Sequence, residues 1–154
     1  MSRYVVVVFA LVGALGWYAH GAAARDLASR ERAWGHVIEA GDLVFQDLVC
    51  GARCELIRGV TQSRYTHVGV VLGRGDDRVV WEAFGPVGPT PLAEWVARGV
   101  DRKVAVYRPA GDLRPIRRAV EGRIVSYRRR LYDADYQWDD ARIYCSELVA
   151  KAYR

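Results

Sequence analysis

A cysteine and a histidine stand where a thiol could be made nucleophilic. The run Ile143-Tyr144-Cys145-Ser146-Glu147-Leu148-Val149 places Cys145 where a helical apolar pattern begins. The N–H groups in the first turn of a helix have no partner within it. They favour a thiolate over a thiol and can receive an oxyanion. Upstream, Tyr65-Thr66-His67-Val68-Gly69-Val70-Val71-Leu72 places an imidazole at the mouth of a β-branched, strand-like run. A thiolate beside an imidazole suits acyl transfer, with the sulfur attacking a carbonyl and the ring moving the proton. Taken singly, Cys145 reads as a small buried hydrophobe and His67 as a strand-edge residue without a role. Their combination carries the chemical reading.

Few other residues compete for these roles. Of the three histidines, His20 lies in the apolar N-terminal segment and His36 in a polar lead-in. Glu82 lies between Trp81 and Ala83 in the next strand-like run. A carboxylate among apolar neighbours is costly unless paired. Across a hairpin from His67 it could accept from the imidazole and hold its tautomer; otherwise it is a strand-edge glutamate facing water. Gly69 is expected to leave space beside the imidazole for a helix end. Glu147 suits the helix dipole and reads as structural. Asp42, next to Gly41, reads as fixing a turn.

The elements that must position these residues follow from periodicity and turn chemistry. Gly41-Asp42-Leu43-Val44-Phe45-Gln46 reads as a turn into a strand, and Leu48 to Val60 as a helix interrupted at Gly51. Thr66 to Leu72 and Arg78 to Phe84 read as strands joined by the turn Gly73 to Asp77. Gly85 to Pro89 reads as a loop. Thr90 caps a helix from Pro91 to Arg98, and Lys103 to Arg108 is a strand. Asp112 caps a long helix with Leu113, Ile116, Val120, Ile124, Tyr127 and Leu131 on one face. Tyr132 to Asp140 is an aromatic and acidic loop, and the last helix starts at Cys145. This order gives an α+β domain with an antiparallel sheet and helices packed on it.

A length of 154 residues and an apolar content of 51% bound the chain to one domain with a real core. The net charge of +5 suits anionic partners such as phospholipid headgroups or cell-wall polymers. It does not indicate nucleic acid, because the arginines are spread out and no nucleic-acid module is present. Residues 1–24 have the positive start, apolar run and small-residue end of a secretory signal; an uncleaved membrane anchor, with membrane contact through this segment, is the alternative. Either places the rest beyond the inner membrane, periplasmic or secreted. Residues 25–37 are the lead-in, and 38–154 the compact domain. Export permits disulfides. Cys50 and Cys54 could pair only if a loop or distorted turn brings them together, which Gly51 allows; pairing would leave Cys145 free. No further Cys or His cluster offers a metal site.

The ordered set of motifs resembles a known family. It comprises Gly41-Asp42-Leu43-Val44-Phe45-Gln46, Ser63-Arg64-Tyr65-Thr66-His67-Val68-Gly69, Glu82-Ala83 with Gly85-Pro86-Val87, and Thr90-Pro91-Leu92 with Trp95. Tyr132-Asp133, Trp138-Asp139-Asp140 and Tyr144-Cys145-Ser146-Glu147-Leu148-Val149 complete it. Over about residues 38 to 154 this is similar to the YiiX/YaeF group, circularly permuted papain-like amidases of the NlpC-type cysteine hydrolase superfamily. The resemblance implies a small antiparallel half-barrel sheet with packed helices. It implies Cys145 as nucleophile, His67 as base, Glu82 as orienting residue and no cofactor. Family members usually continue beyond the cysteine helix, so part of the groove is expected to be missing or supplied by a partner. The Cys50–Cys54 pair is not a feature of the resemblance.

The resemblance implies an amide substrate, in cell-wall (peptidoglycan) peptides or another N-acyl compound. The alternatives are a lipid-directed thiol hydrolase or acyltransferase, similar to lecithin:retinol acyltransferase relatives, and an inactive binding module. A long apolar groove would favour the lipid-like substrate. A short polar groove that binds carboxylates would favour the peptide.

Overall fold

β2 (His67–Leu72) runs through the middle of a five-stranded sheet, and all six of its residues are buried. That double-sided burial explains why its sequence is a continuous apolar run after His67 rather than an alternation. The computed structural model describes residues 38–154. The apolar N-terminal segment, the lead-in, His20 and His36 lie outside the described residues. The other strands are β1 (Leu43–Gln46), β3 (Val79–Glu82), β4 (Gly88–Pro91) and β5 (Ala105–Tyr107). Their spatial order is β4-β3-β2-β1-β5, and every pairing is antiparallel.

Register decides which residues share a face. Gln46 lies opposite His67, Val44 opposite Gly69 and Val71 opposite Val80. Opposite residues point the same way and alternate residues share a face. Gln46, His67, Gly69, Val71, Val80 and Glu82 therefore form one set. Val70, Leu72 and Trp81 form the other, clustered with Val120, Ile124, Ile143, Leu148 and Ala152. Each aliphatic side chain fully buried there contributes about 1.5–3 kcal/mol before the entropy of ordering is subtracted.

The helices are α1 (Ala52–Thr61), α2 (Leu92–Arg98), α3 (Arg117–Ser126) and α4 (Cys145–Ala152). Helix α4 packs on β2 and on α3, with Leu148 and Ala152 fully buried. Two short parallel strands, β6 (Leu131–Tyr132) and β7 (Arg142–Ile143), lead into it. Asp42 fixes the entry to β1, accepting the Glu39 N–H at 2.7 Å and both arms of Arg108 at 2.8 Å. In the hairpin between β2 and β3, Gly73 has φ +84, and a Cβ there would lie 2.4 Å from the Asp77 carbonyl oxygen.

Several expected elements differ in a physically readable way. The segment Gly88-Pro89-Thr90-Pro91 is not a loop and cap but the edge strand β4. Proline lacks an N–H for the ladder, and an edge is where a sheet tolerates that. Thr90 therefore faces β3 rather than capping α2. The long helix is shortened at both ends. Pro115 disfavours helical geometry at Arg114, and Asp112 instead accepts the Arg114 N–H at 3.0 Å. Arg129, at φ +68, turns the chain away after α3, and Leu131 is exposed. Helix α1 begins after Gly51, whose φ of +61 breaks the run from Leu48. That break lets Cys50 and Cys54 approach to a Cα–Cα separation of 5.2 Å, and the two form a disulfide.

Candidate active site

The imidazole of His67 is held by its strand. His67 begins β2, and Glu82 ends β3 on the same face, one alternate position along. Diagonal neighbours on adjacent strands come within reach of polar side chains. His67 Nε2 lies 2.5 Å from Glu82 Oε2. Gly69 makes this approach possible. A Cβ at that position would lie 2.3 Å from Val80 Cγ1 and 3.5 Å from Glu82 Cβ. The expected space beside the imidazole is thus used by β3, not by a helix end.

Glu82 is buried, and four side chains serve it. Oε2 accepts from His67, from Trp95 Nε1 at 3.1 Å and from Arg98 Nη2 at 2.5 Å. Oε1 accepts from Thr90 Oγ1 at 2.6 Å. Burial by itself would push this carboxyl upward, but the hydrogen bonds and charges of His67, Arg98 and Thr90 outweigh it and hold it below the ordinary glutamate range. The Arg98 guanidinium also lies 4.0 Å above the Phe84 ring, and Phe84 meets the His67 ring edge-on at 5.6 Å. Arg98 therefore touches two neighbours of the imidazole, Glu82 and Phe84.

Cys145 comes from the other side, at the first residue of α4. It is the one free cysteine among the described residues. Leu148 N–H makes the helix's first regular bond, to the Tyr144 carbonyl at 3.0 Å, which leaves the N–H groups around Cys145 at the open end. Cys145 and His67 line the same cleft. Nε2 is taken by Glu82, so Nδ1 is the nitrogen left for the sulfur. Burial tends to lower the imidazolium pKa, yet the bonds and charges of Cys145 and Glu82 raise it above the ordinary value. Glu147 takes the structural place expected of it. It is fully buried, accepts the Tyr144 N–H at 3.2 Å and pairs with Lys151 at 2.8 Å.

Tyr132 adds a feature that periodicity did not reveal. Its hydroxyl is pushed well above the usual tyrosine range by burial, by the charge of Cys145 and by Tyr136. It is therefore a neutral O–H donor in the electrostatic reach of the sulfur. Thr90, Trp95, Arg98 and Tyr132 were all visible as residues. Only the pairing of β3 with β4 and the docking of α2 join the first three to Glu82.

Two clefts meet at the sulfur. One, of about 370 Å³, is lined by Leu56, Ile57, Val60, Tyr136 and Tyr144. The other, of about 300 Å³, is lined by Phe45, Tyr65, His67, Val68 and Tyr107. Ile57 and Thr61 of α1 border both, as do Cys145 and Ser146. Their walls are mainly apolar. A free thiol, a hydrogen-bonded imidazole and a paired carboxylate between such walls are the parts needed for covalent acyl transfer.

Residues 37–154 match the family model described as permuted papain-like amidase enzyme, YaeF/YiiX, C92 family. The chain belongs to this family. It is thereby assigned to the cysteine hydrolases, and the α+β sheet with packed helices is the family's permuted papain-like fold. The chain is 34% identical over 117 residues to the uncharacterized protein YiiX of Escherichia coli K12, covering 75% of this chain and 57% of that protein. It is also similar to a crystal structure of YiiX from Escherichia coli O157:H7, described as a metalloprotein. That similarity has a TM-score of 0.70 and 35% identity, over 75% of this chain and 64% of the other. The chain thus spans about three fifths of these relatives.

Proposed function

We propose that the chain is an exported cysteine amidase that cleaves N-acyl compounds with an apolar acyl group. Cys145 is the nucleophile, His67 the general base and acid, and Glu82 the residue that orients the imidazole. The observation that carries this reading is the meeting of two mainly apolar clefts at Cys145, with His67, held by Glu82, in the wall of one of them. Walls of Leu, Ile, Val and Tyr suit an acyl chain better than a cell-wall peptide, whose carboxylates call for cationic partners.

In the reaction, the Cys145 thiolate attacks the amide carbonyl. N–H groups at the start of α4 receive the oxyanion. Imidazolium gives its proton to the leaving nitrogen, the C–N bond breaks and a thioester remains. Water then attacks the thioester while His67 takes its proton, releasing the acid and restoring the thiolate. Glu82, kept ionised by Arg98, holds the ring for both transfers. Among the described residues, no group of three or more His, Cys, Asp and Glu side chains is placed to hold a metal ion.

Export is supported by the Cys50–Cys54 disulfide, since such bonds persist in oxidising compartments. The apolar N-terminal run suits the same route. The test is mass spectrometry of lipid extracts and muropeptides after incubation with the protein and with Cys145→Ala. Release of fatty acids or other apolar acids by the active protein alone is expected. Selective loss of muropeptides, with lipid extracts unchanged, would overturn the acyl assignment.

A further inference from the structure

The two clefts at Cys145 are chemically unequal, and the difference gives the substrate a direction. Only one of them includes His67 in its wall. The other reaches Cys145 and Ser146 without touching the imidazole. When the amide breaks, the leaving nitrogen must receive a proton from a group within about 3 Å. His67 is that group in the reading above, and this inference rests on that reading. The nitrogen and its substituent must therefore lie on the His67 side. The acyl carbon is bonded to sulfur, so its chain is left to the other side.

We infer that the cleft of Phe45, Tyr65 and Tyr107 is the amine subsite, selecting an uncharged aromatic or aliphatic amine, and that the cleft of Leu56, Val60 and Tyr136 holds the acyl chain. The amine subsite is built as an aromatic wall. Phe45 meets Tyr107 edge-on at a centroid distance of 5.1 Å and lies 6.0 Å from Tyr65. Aromatic rings accept another ring in the same offset or edge-on arrangements. The lining holds no Lys, Arg, Asp or Glu; apart from His67 and Cys145, its polar side chains are the hydroxyls of Thr61, Ser63, Thr66, Ser146 and the two tyrosines. An amine bearing a carboxylate, such as an amino acid, would enter a wall with no cation to meet it. Ile57 and Thr61 form the ridge between the two sides, so a substrate lies across α1 with its amide above the sulfur.

This direction separates two kinetic steps. Acylation involves both clefts, whereas the thioester has already lost its amine. Changes to the amine subsite should therefore leave deacylation untouched. The experiment uses the whole chain with octanoyl anilide, octanoyl butylamide and octanoylglycine, and with anilides of acetyl, butyryl and octanoyl acids. Octanoyl p-nitrophenyl ester supplies the acyl-enzyme for measuring its breakdown. The wild type should cleave the anilide and butylamide well ahead of octanoylglycine. Tyr107→Ser should lower kcat/KM for the anilide about five- to tenfold relative to the butylamide, the loss of one aromatic contact, with unchanged acyl-enzyme breakdown. Leu56→Ser should weaken the preference for octanoyl over acetyl without altering the order of amines.

The inference is overturned if octanoylglycine is the best amide, or if the two variants exchange these effects. It is also overturned if Tyr107→Ser slows breakdown of the octanoyl-enzyme, or if the ester acylates Cys145 while no amide is cleaved. Failure of the ester to acylate Cys145 at all is a different result, and it overturns the amidase reading itself.

Discussion

The two flanks of Cys145 are built on opposite principles. On the sheet side, His67, Glu82, Arg98, Trp95 and Thr90 form a buried network in which one carboxylate takes four donors. On the α1 side, apolar groups stand open, with Val60 75% and Leu56 57% exposed. The first arrangement resists change, because removing one member strands a buried charge. The second exposes apolar area that a substrate can cover. A rigid polar flank can hold proton transfer while a loose apolar flank sets what binds, and the two can be altered separately.

The largest expected effect comes from breaking the contact between the flanks. Cys145→Ala should abolish amide cleavage. Cys145 in the wild type should react with iodoacetamide at pH 6–7 faster than reduced Cys50 or Cys54, and His67→Ala should remove much of that advantage. Peptide mapping after a short pulse reads all three cysteines. Equal labelling would make Cys145 a packing residue.

The network itself is tested next. Glu82→Gln should lower turnover about a hundredfold, far less than Cys145→Ala, with the fold intact by circular dichroism. Its pH profile should move as well. The raised His67 pKa keeps the imidazolium to higher pH, so the alkaline limb of kcat/KM should lie above the ordinary imidazole value of about 6.5. Stability from the His67 pairing is fully present below that value and is lost as pH rises through the raised one. Losing the Glu82 charge should shift the limb downward. Glu82 itself contributes stability above the ordinary glutamate range, lost as pH falls through its lowered pKa. Arg98→Met should shift the alkaline limb the other way, by removing a neighbouring cation, with a smaller loss of turnover. An unshifted limb in both variants would show that the network is only structural.

The smallest effect should come from the apolar flank. The Cys50–Cys54 bond ties the start of α1, the helix whose later residues line both clefts. Cys50→Ser should cost about 2 kcal/mol, as the loop it closes is short. It should raise KM for long acyl chains while leaving the alkylation rate of Cys145 unchanged. Chemical denaturation and matched kinetics check the two parts. A slower alkylation would mean that α1 also shapes the thiol site.

Much of this division was legible in the chain. The apolar run of β2, the helix start at Cys145 and the motif order led to the strand, the helix and the family. Thr90 misled, because Thr-Pro before an apolar run is ordinary cap chemistry. Pairing of β4 with β3 outweighed that local preference, and Thr90 became a donor to Glu82. The long helix misled in the same way, since its apolar spacing continued past residues whose backbone could not follow. The Cys50–Cys54 pair stayed open in sequence because the answer depended on the φ of Gly51.

What the sequence alone determined is the set of candidate reacting groups and the elements that carry them, because periodicity and capping act over a few residues. The tertiary structure decided the rest. Strand register placed Glu82 beside His67, helix docking brought Arg98 and Trp95 to the same oxygen, and α1 divided one groove into two unlike clefts. Each of these depends on residues distant in the chain, whose meeting is set by which faces the sheet and helices bury together.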